Sequence, residues 1–119
     1  METISFRIWD KQNKKFHFSG STPSMLTSFF EHTAVLNTRD EMPYQQFTGL
    51  SDMNKNWIYE GDIFRDRDWS IARAEVEFEN GMFGFLYEED NSFIPLFDCK
   101  SIEIIGNKFE NPELISKNN

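Results

Sequence analysis

Residues 47–64, Phe-Thr-Gly-Leu-Ser-Asp-Met-Asn-Lys-Asn-Trp-Ile-Tyr-Glu-Gly-Asp-Ile-Phe, leave this chain few ways to fold. Hydrophobic side chains alternate on both sides of a polar centre, Asp52, Asn54, Lys55 and Asn56. That is the pattern of a strand, a tight turn and a returning strand, with arms over 44–50 and 57–65. Gly61 gives access to a backbone conformation closed to other residues, so the second arm is expected to kink there. Asp62 then re-aims it into Ile63 and Phe64.

The same period of two recurs elsewhere. In 4–9, Ile4, Phe6 and Ile8 alternate with Ser5, Arg7 and Trp9, and 15–19 returns with Phe16 and Phe18 about an outward His17. Across 71–79, Ala72, Ala74, Val76 and Phe78 occupy one face and Arg73, Glu75, Glu77 and Glu79 the other, predicting one clean strand with a face to water. Asn80-Gly81 is a strong hairpin signal. The chain returns over 82–87, where Gly84 marks a bend or bulge, and strands follow at 92–97 and 101–105. One helix interrupts the pattern. Thr22 reads as its N-cap and Pro23 as its first residue, and Met25, Leu26, Phe29 and Phe30 recur at helical spacing, predicting a helix over 23–33. Its apolar face is expected to plug one end of a barrel or to pack on a neighbouring chain. Residues 34–37 read as a short extended piece and 38–43 as a charged connection. The 13 phenylalanines favour pleated, half-buried surfaces and a mainly β class.

Three blocks resemble one family. They are the hairpin motif, with Gln46-Phe47-Thr48-Gly49-Leu50, Asp52, Asn54 and Ile58-Tyr59-Glu60-Gly61-Asp62-Ile63; then Phe6-Arg7-Ile8-Trp9-Asp10 near the start; and Ile102-Glu103-Ile104-Ile105-Gly106-Asn107 with Glu110-Asn111-Pro112-Glu113-Leu114 near the end. Taken in the order they occupy along the chain, they resemble the YopX family of phage and prophage proteins. The resemblance implies a small SH3-like β-barrel with no established biochemical activity. It also implies a single domain over 1–115 with an ordered but irregular tail at 107–114; residues 116–119, at the chain terminus, are expected to fray. Where the family has Asn-Gly at the hairpin tip this chain has Asn54-Lys55, and lysine resists the left-handed conformation that glycine takes.

At 119 residues the chain reads as one domain able to bury a modest core. A lone Cys99 forms no intrachain disulfide, and no Cys/His cluster suggests zinc. The first residues lack a secretory pattern and no apolar run has membrane-spanning length, so the expected location is the host bacterial cytoplasm. The net charge of −8 is concentrated: residues 75–98 hold seven acidic residues and no Lys or Arg. Such a chain is repelled by phosphate backbones, which argues against ordinary nucleic-acid binding.

Candidate chemistry is sparse. Asp52, Asn54 and Asn56 imitate the start of a calcium loop, but its sixth and twelfth positions are Trp57 and Ile63, not Gly and Glu. Glu60 and Asp62 could pair their carboxylates on one strand face, yet Gly61 interrupts the pleat, and Asp62 is better suited to accept hydrogen bonds at the bulge. No nucleophile–base set or phosphate-cradling loop is present, so no enzyme, metal or cofactor is expected. Two surfaces remain. Trp57 and Tyr59 share a strand face, which suits a peptide or stacked bases if exposed and a core or subunit interface if not. Glu75, Glu77, Glu79, Glu88, Glu89 and Asp90 would cluster if the 80–81 hairpin forms, either as a solubilising face or as a mimic of DNA phosphates toward a basic partner. The reading that follows is a non-enzymatic phage accessory protein that binds itself or an unidentified host or phage protein. A host-directed inhibitor acting through the acidic face and a nucleic-acid-binding barrel are the alternatives.

Overall fold

The structure, a computed structural model, describes residues 4–34 and 44–115. The expected pieces at 34–37 and 38–43 and the frayed tail at 116–119 lie outside these residues, apart from Ala34. The chain forms two compact units, Met1–Gly49 and Leu50–Asn119. Its described residues are mainly β with one α-helix among them, the class the periodicity implies.

In the first unit β1 (Phe6–Asp10) pairs antiparallel with β2 (Lys15–Phe18) on one side and with β3 (Tyr44–Ser51) on the other. The face that carries Arg7 is not a water face: Arg7 and the preceding Ser5 are buried, as is Asp10 at the end of the strand. The Arg7 Nε–H donates to Gln45 Oε1 at 2.7 Å, and its guanidinium lies 4.1 Å from the Phe16 ring centre. His17 turns toward the sheet rather than outward, with Nε2 3.0 Å from Asp10 Oδ2. The helix α1 (Pro23–Thr33) starts as expected, with the Thr22 side chain accepting from the Met25 N–H at 3.2 Å. Its apolar face packs within the unit: Phe29 and Phe30 meet Tyr44, and Phe30 also meets Phe6, at ring-centre separations of 5.1–5.9 Å.

β3 runs on to Leu50 and Ser51, and the turn after it leads to β4 (Trp57–Tyr59). Lys55 does take the left-handed conformation, at φ +67. Asp52 offsets the strain: its Oδ1 accepts the N–H groups of Asn54 and Asn56 at 2.9 and 2.8 Å, and its Oδ2 accepts Ile104 N–H at 3.0 Å. After the kink at Gly61, φ +90, the chain enters β5 (Asp62–Asp66). The second arm is thus two strands.

The predicted strand over 71–79 also divides, into β6 (Ile71–Glu75) and β7 (Glu77–Glu79). β6 belongs to a sheet of order β10-β5-β6, where β10 is Ile102–Asn107. β7 belongs to a sheet of order β7-β8-β9, with β8 Met82–Tyr87 and β9 Ser92–Pro95. Between them Val76, fully buried, donates its N–H to Asp62 O and accepts Gly61 N–H, each at 2.8 Å. The chain bends at that point, so Phe78 ends up exposed instead of continuing the inner face. The two sheets curl around one core of Ile58, Phe64, Val76, Phe85, Cys99 and Ile102, with the Phe64 and Phe85 rings edge to face at 5.2 Å. Gly84 marks neither a bulge nor an open bend. A Cβ there would lie 2.4 Å from Ile94 O, so the glycine permits close approach of β9. Register irregularities lie instead on either side of β5, between Ile104 and Gly106 in its pairing with β10 and between Phe64 and Asp66 in its pairing with β6. The tail is ordered as the resemblance implied, with Asn107 Oδ1 accepting from Phe109 and Glu110 before a single 3₁₀ turn at Pro112–Leu114.

Asp52 joins the hairpin tip to β10, and truncating it strands three N–H groups. Asp52→Ala is expected to lower unfolding free energy by about 3 kcal/mol and Asp52→Asn by roughly half that, read from urea midpoints. In the first unit, hydrogen bonds from His17, Asn13 and Gln12 hold the Asp10 carboxyl well below its usual 3.8. A depressed folded value means that Asp10 stabilises the fold fully above about pH 4 and progressively less as pH falls below it. Asp10→Asn should therefore be less stable than the parent at pH 7, with the gap narrowing toward pH 2.

Candidate functional site

The acidic residues form two groups, not one. The 80–81 hairpin closes as expected, with Asn80 and Gly81 at φ +52 and +81, and it sets Glu77 opposite Gly84 and Glu79 opposite Met82. Glu88, Glu89 and Asp90 lie beyond the far end of β8, four or more residues from Gly84 and so about 13 Å along the strand. Burial raises the Glu75 carboxyl above its usual value, Lys108 draws it back, and Glu77 and Glu60 push it up again. Glu77 is raised by burial and by Glu79. In the second group Asp90 is lowered by Ser92, whose hydroxyl and N–H donate to it at 2.6 and 3.0 Å. Glu89 accepts the Tyr87 hydroxyl at 3.0 Å.

The pair Trp57 and Tyr59 does not form an exposed platform. Trp57 is 49% exposed but Tyr59 only 5%, because the chain reverses at Glu60 and Gly61 and Tyr59 N–H is tied to Asp62 Oδ2 at 2.7 Å. That bond engages the Asp62 carboxylate as an acceptor across the kink at Gly61. The Cys99 thiol is pushed up to about 11, first by burial and then by Asp98, Asp66 and Asp52, so it is protonated and unreactive at neutral pH. Among the described residues no group of three or more His, Cys, Asp or Glu side chains is placed to hold a metal, and no helix is long and apolar enough to cross a membrane.

The aromatic surface lies elsewhere. Trp69, 57% exposed, and Phe97, 75% exposed, flank a hollow of about 280 Å³ lined also by Pro95, Leu96 and Phe85. Trp69 lies within an aspartate-capped turn and Phe97 immediately precedes another. Asp66 Oδ1 accepts Asp68 and Trp69 N–H at 3.0 and 3.3 Å, and Asp98 Oδ1 accepts Lys100 N–H at 3.2 Å. Sequence reasoning put Trp69 in a charged loop and missed Phe97 by extending the last hairpin strand to it. The available signal was Pro95-Leu96-Phe97, where a proline and consecutive apolar residues end the period of two.

These features define a small, mainly β protein with curled antiparallel sheets, one helix among the described residues and an aromatic hollow rimmed by acidic turns. The chain belongs to the YopX protein family, whose model matches residues 5–116. A solved structure, protein EF1440 from Enterococcus faecalis, is similar to it at 22% identity and a TM-score of 0.56, covering 98% of this chain and 100% of that one. At that identity the likeness shows the fold alone. No curated protein matches.

The raised Glu75 carboxyl carries a stability consequence. A folded value above the unfolded 4.5 means that ionisation destabilises the fold at neutral pH, and the effect vanishes as pH falls below that value. Glu75→Gln should melt higher than the parent at pH 7 and at the same temperature near pH 4.

Proposed function

We propose that this protein is a non-enzymatic binding module of phage or prophage origin, acting in the host cytoplasm by docking a protein on the Trp69–Phe97 hollow. The partner is a second copy of the chain or another phage or host protein. The observation that carries the reading is the exposure of two large rings beside one hollow whose apolar lining includes Phe85, Pro95 and Leu96. Contiguous exposed apolar surface marks interaction sites, and aromatic rings dominate binding hot spots. The acidic face as a phosphate mimic receives less support, since its six residues are split between two places.

Both rings sit on the surface, so replacing them should leave the fold intact. Trp69→Ala with Phe97→Ala should keep the parent circular dichroism and melting temperature. It should reduce the mass seen by light scattering at micromolar concentration, or abolish capture of a partner from prophage-bearing cells, with a loss of about 100-fold in affinity. Unchanged association and capture would refute the assignment.

A further inference from the structure

The aromatic hollow has a neighbour. Asp68, Lys100 and Ser101 line it, and the same three residues line a second hollow of about 430 Å³, together with Arg65, Arg67 and Glu103. Both lie within the Leu50–Asn119 unit. They share a wall, so a partner seated in the first is within reach of the second. The turn capped by Asp66 carries both Arg67 and Trp69, and Phe97 immediately precedes the Asp98-capped turn that carries Lys100. Each turn therefore supplies one ring to the first hollow and one cation to the second.

The two hollows differ in charge. The aromatic one has Asp66, Asp68 and Asp98 against Lys100. The second has Arg65, Arg67 and Lys100 against Asp68 and Glu103, a local positive excess in a chain of net charge −8. Glu103 is already occupied. The register of β5 and β10 sets it opposite Arg65, whose Nε–H donates to Glu103 Oε1 at 2.7 Å while Nη2 lies 2.6 Å from the same oxygen. Among the described residues no ion pair engages Arg67 or Lys100, and both are exposed.

Lining and charge together select the occupant. Phe85, Ile94, Pro95 and Leu96 in the aromatic hollow suit an apolar side chain. A guanidinium and an ammonium without an ion-pair partner suit carboxylates. A nucleic-acid strand fits this pair of hollows less well. Bases stacked on Trp69 and Phe97 would carry phosphates to both sides of the rings, where Asp66, Asp68 and Asp98 repel them. A peptide can keep its carboxylates on one side only.

Resting on the docking role assigned above to the Trp69–Phe97 hollow, we infer that the partner presents a segment in which an apolar side chain is flanked by Asp or Glu. The apolar side chain enters the aromatic hollow and the carboxylates reach Arg67 and Lys100. The probes are the capped peptides Gly-Phe-Gly-Glu-Glu and Glu-Glu-Gly-Phe-Gly, one for each chain direction, with Gln and Lys replacing Glu in the controls. In an NMR titration at least one glutamate peptide should shift both the Trp69 indole N–H and the Arg67 and Lys100 amides. It should bind about tenfold more tightly than its lysine counterpart. Arg67→Gln with Lys100→Gln, both exposed and compatible with folding, should erase that preference. Equal binding of the glutamate, glutamine and lysine peptides at the rings would leave the docking role standing and overturn the acidic partner. Preference for lysine, or no shift with any peptide, would overturn the inference too, while the docking role itself is decided by the association of Trp69→Ala with Phe97→Ala. Tighter binding of an oligothymidylate than of the glutamate peptides, with the same shifts, would assign the surface to single-stranded nucleic acid and overturn the inference.

Discussion

The two-bond rung between Val76 and the Gly61–Asp62 pair holds the second unit together. Gly61 at φ +90 presents its N–H to Val76 O while its own C=O accepts Lys108 N–H at 2.9 Å. Asp62 accepts Val76 N–H through its backbone and Tyr59 N–H through its carboxylate. Four segments therefore meet at one corner: the end of β4, the start of β5, the switch from β6 to β7, and the chain just after β10. A side chain at position 61 would have to adopt a conformation that costs an L-residue roughly 1–2 kcal/mol. The loss would spread because each segment uses the others as hydrogen-bond partners.

Acidity in this protein has two separate meanings. Asp10, Asp52, Asp62 and Asp66 are buried, and each accepts backbone N–H groups at the start of a turn or at the bulge. A buried carboxylate is tolerated when several donors converge on it. These residues add to the net charge of −8 without projecting it outward. The glutamates of the 75–98 segment differ, being partly or fully exposed and opposed by few cations. Reading net charge as surface charge merges the two classes.

This distinction also marks how far the sequence was legible. Elements with strong local signals were readable: the Thr22-Pro23 helix start, the Asn80-Gly81 turn, the alternation of the hairpin arms and the family blocks. Features set by tertiary hydrogen bonds were not. The 71–79 stretch alternates without a flaw, yet it bends at Val76 because two residues from a distant segment bond there, and alternation carries no trace of that. Lys55 enters the left-handed region against its preference because Asp52 bonds two of its neighbours. Tyr59 was matched with Trp57 by parity alone, and the reversal at Glu60 and Gly61 buried it. Exposure of Trp69 and Phe97 was hidden for a related reason, since both lie in or beside aspartate-capped turns and outside any periodic pattern.

The bend that builds the core also creates the surface. A strand shared by two sheets can serve both only if it leaves one before joining the other, and here it leaves β8 while it pairs with β5. The unit gains two layers around Phe64 and Phe85 from a short chain, and each layer ends in an edge strand, β6 in one sheet and β7 in the other. Proteins normally blunt such edges with charge, and Arg73 and Glu75 on β6 and Glu77 and Glu79 on β7 are the charges present. One alternating run thus supplies both Val76, which closes the core, and the charged rim that guards the two edges on either side of it.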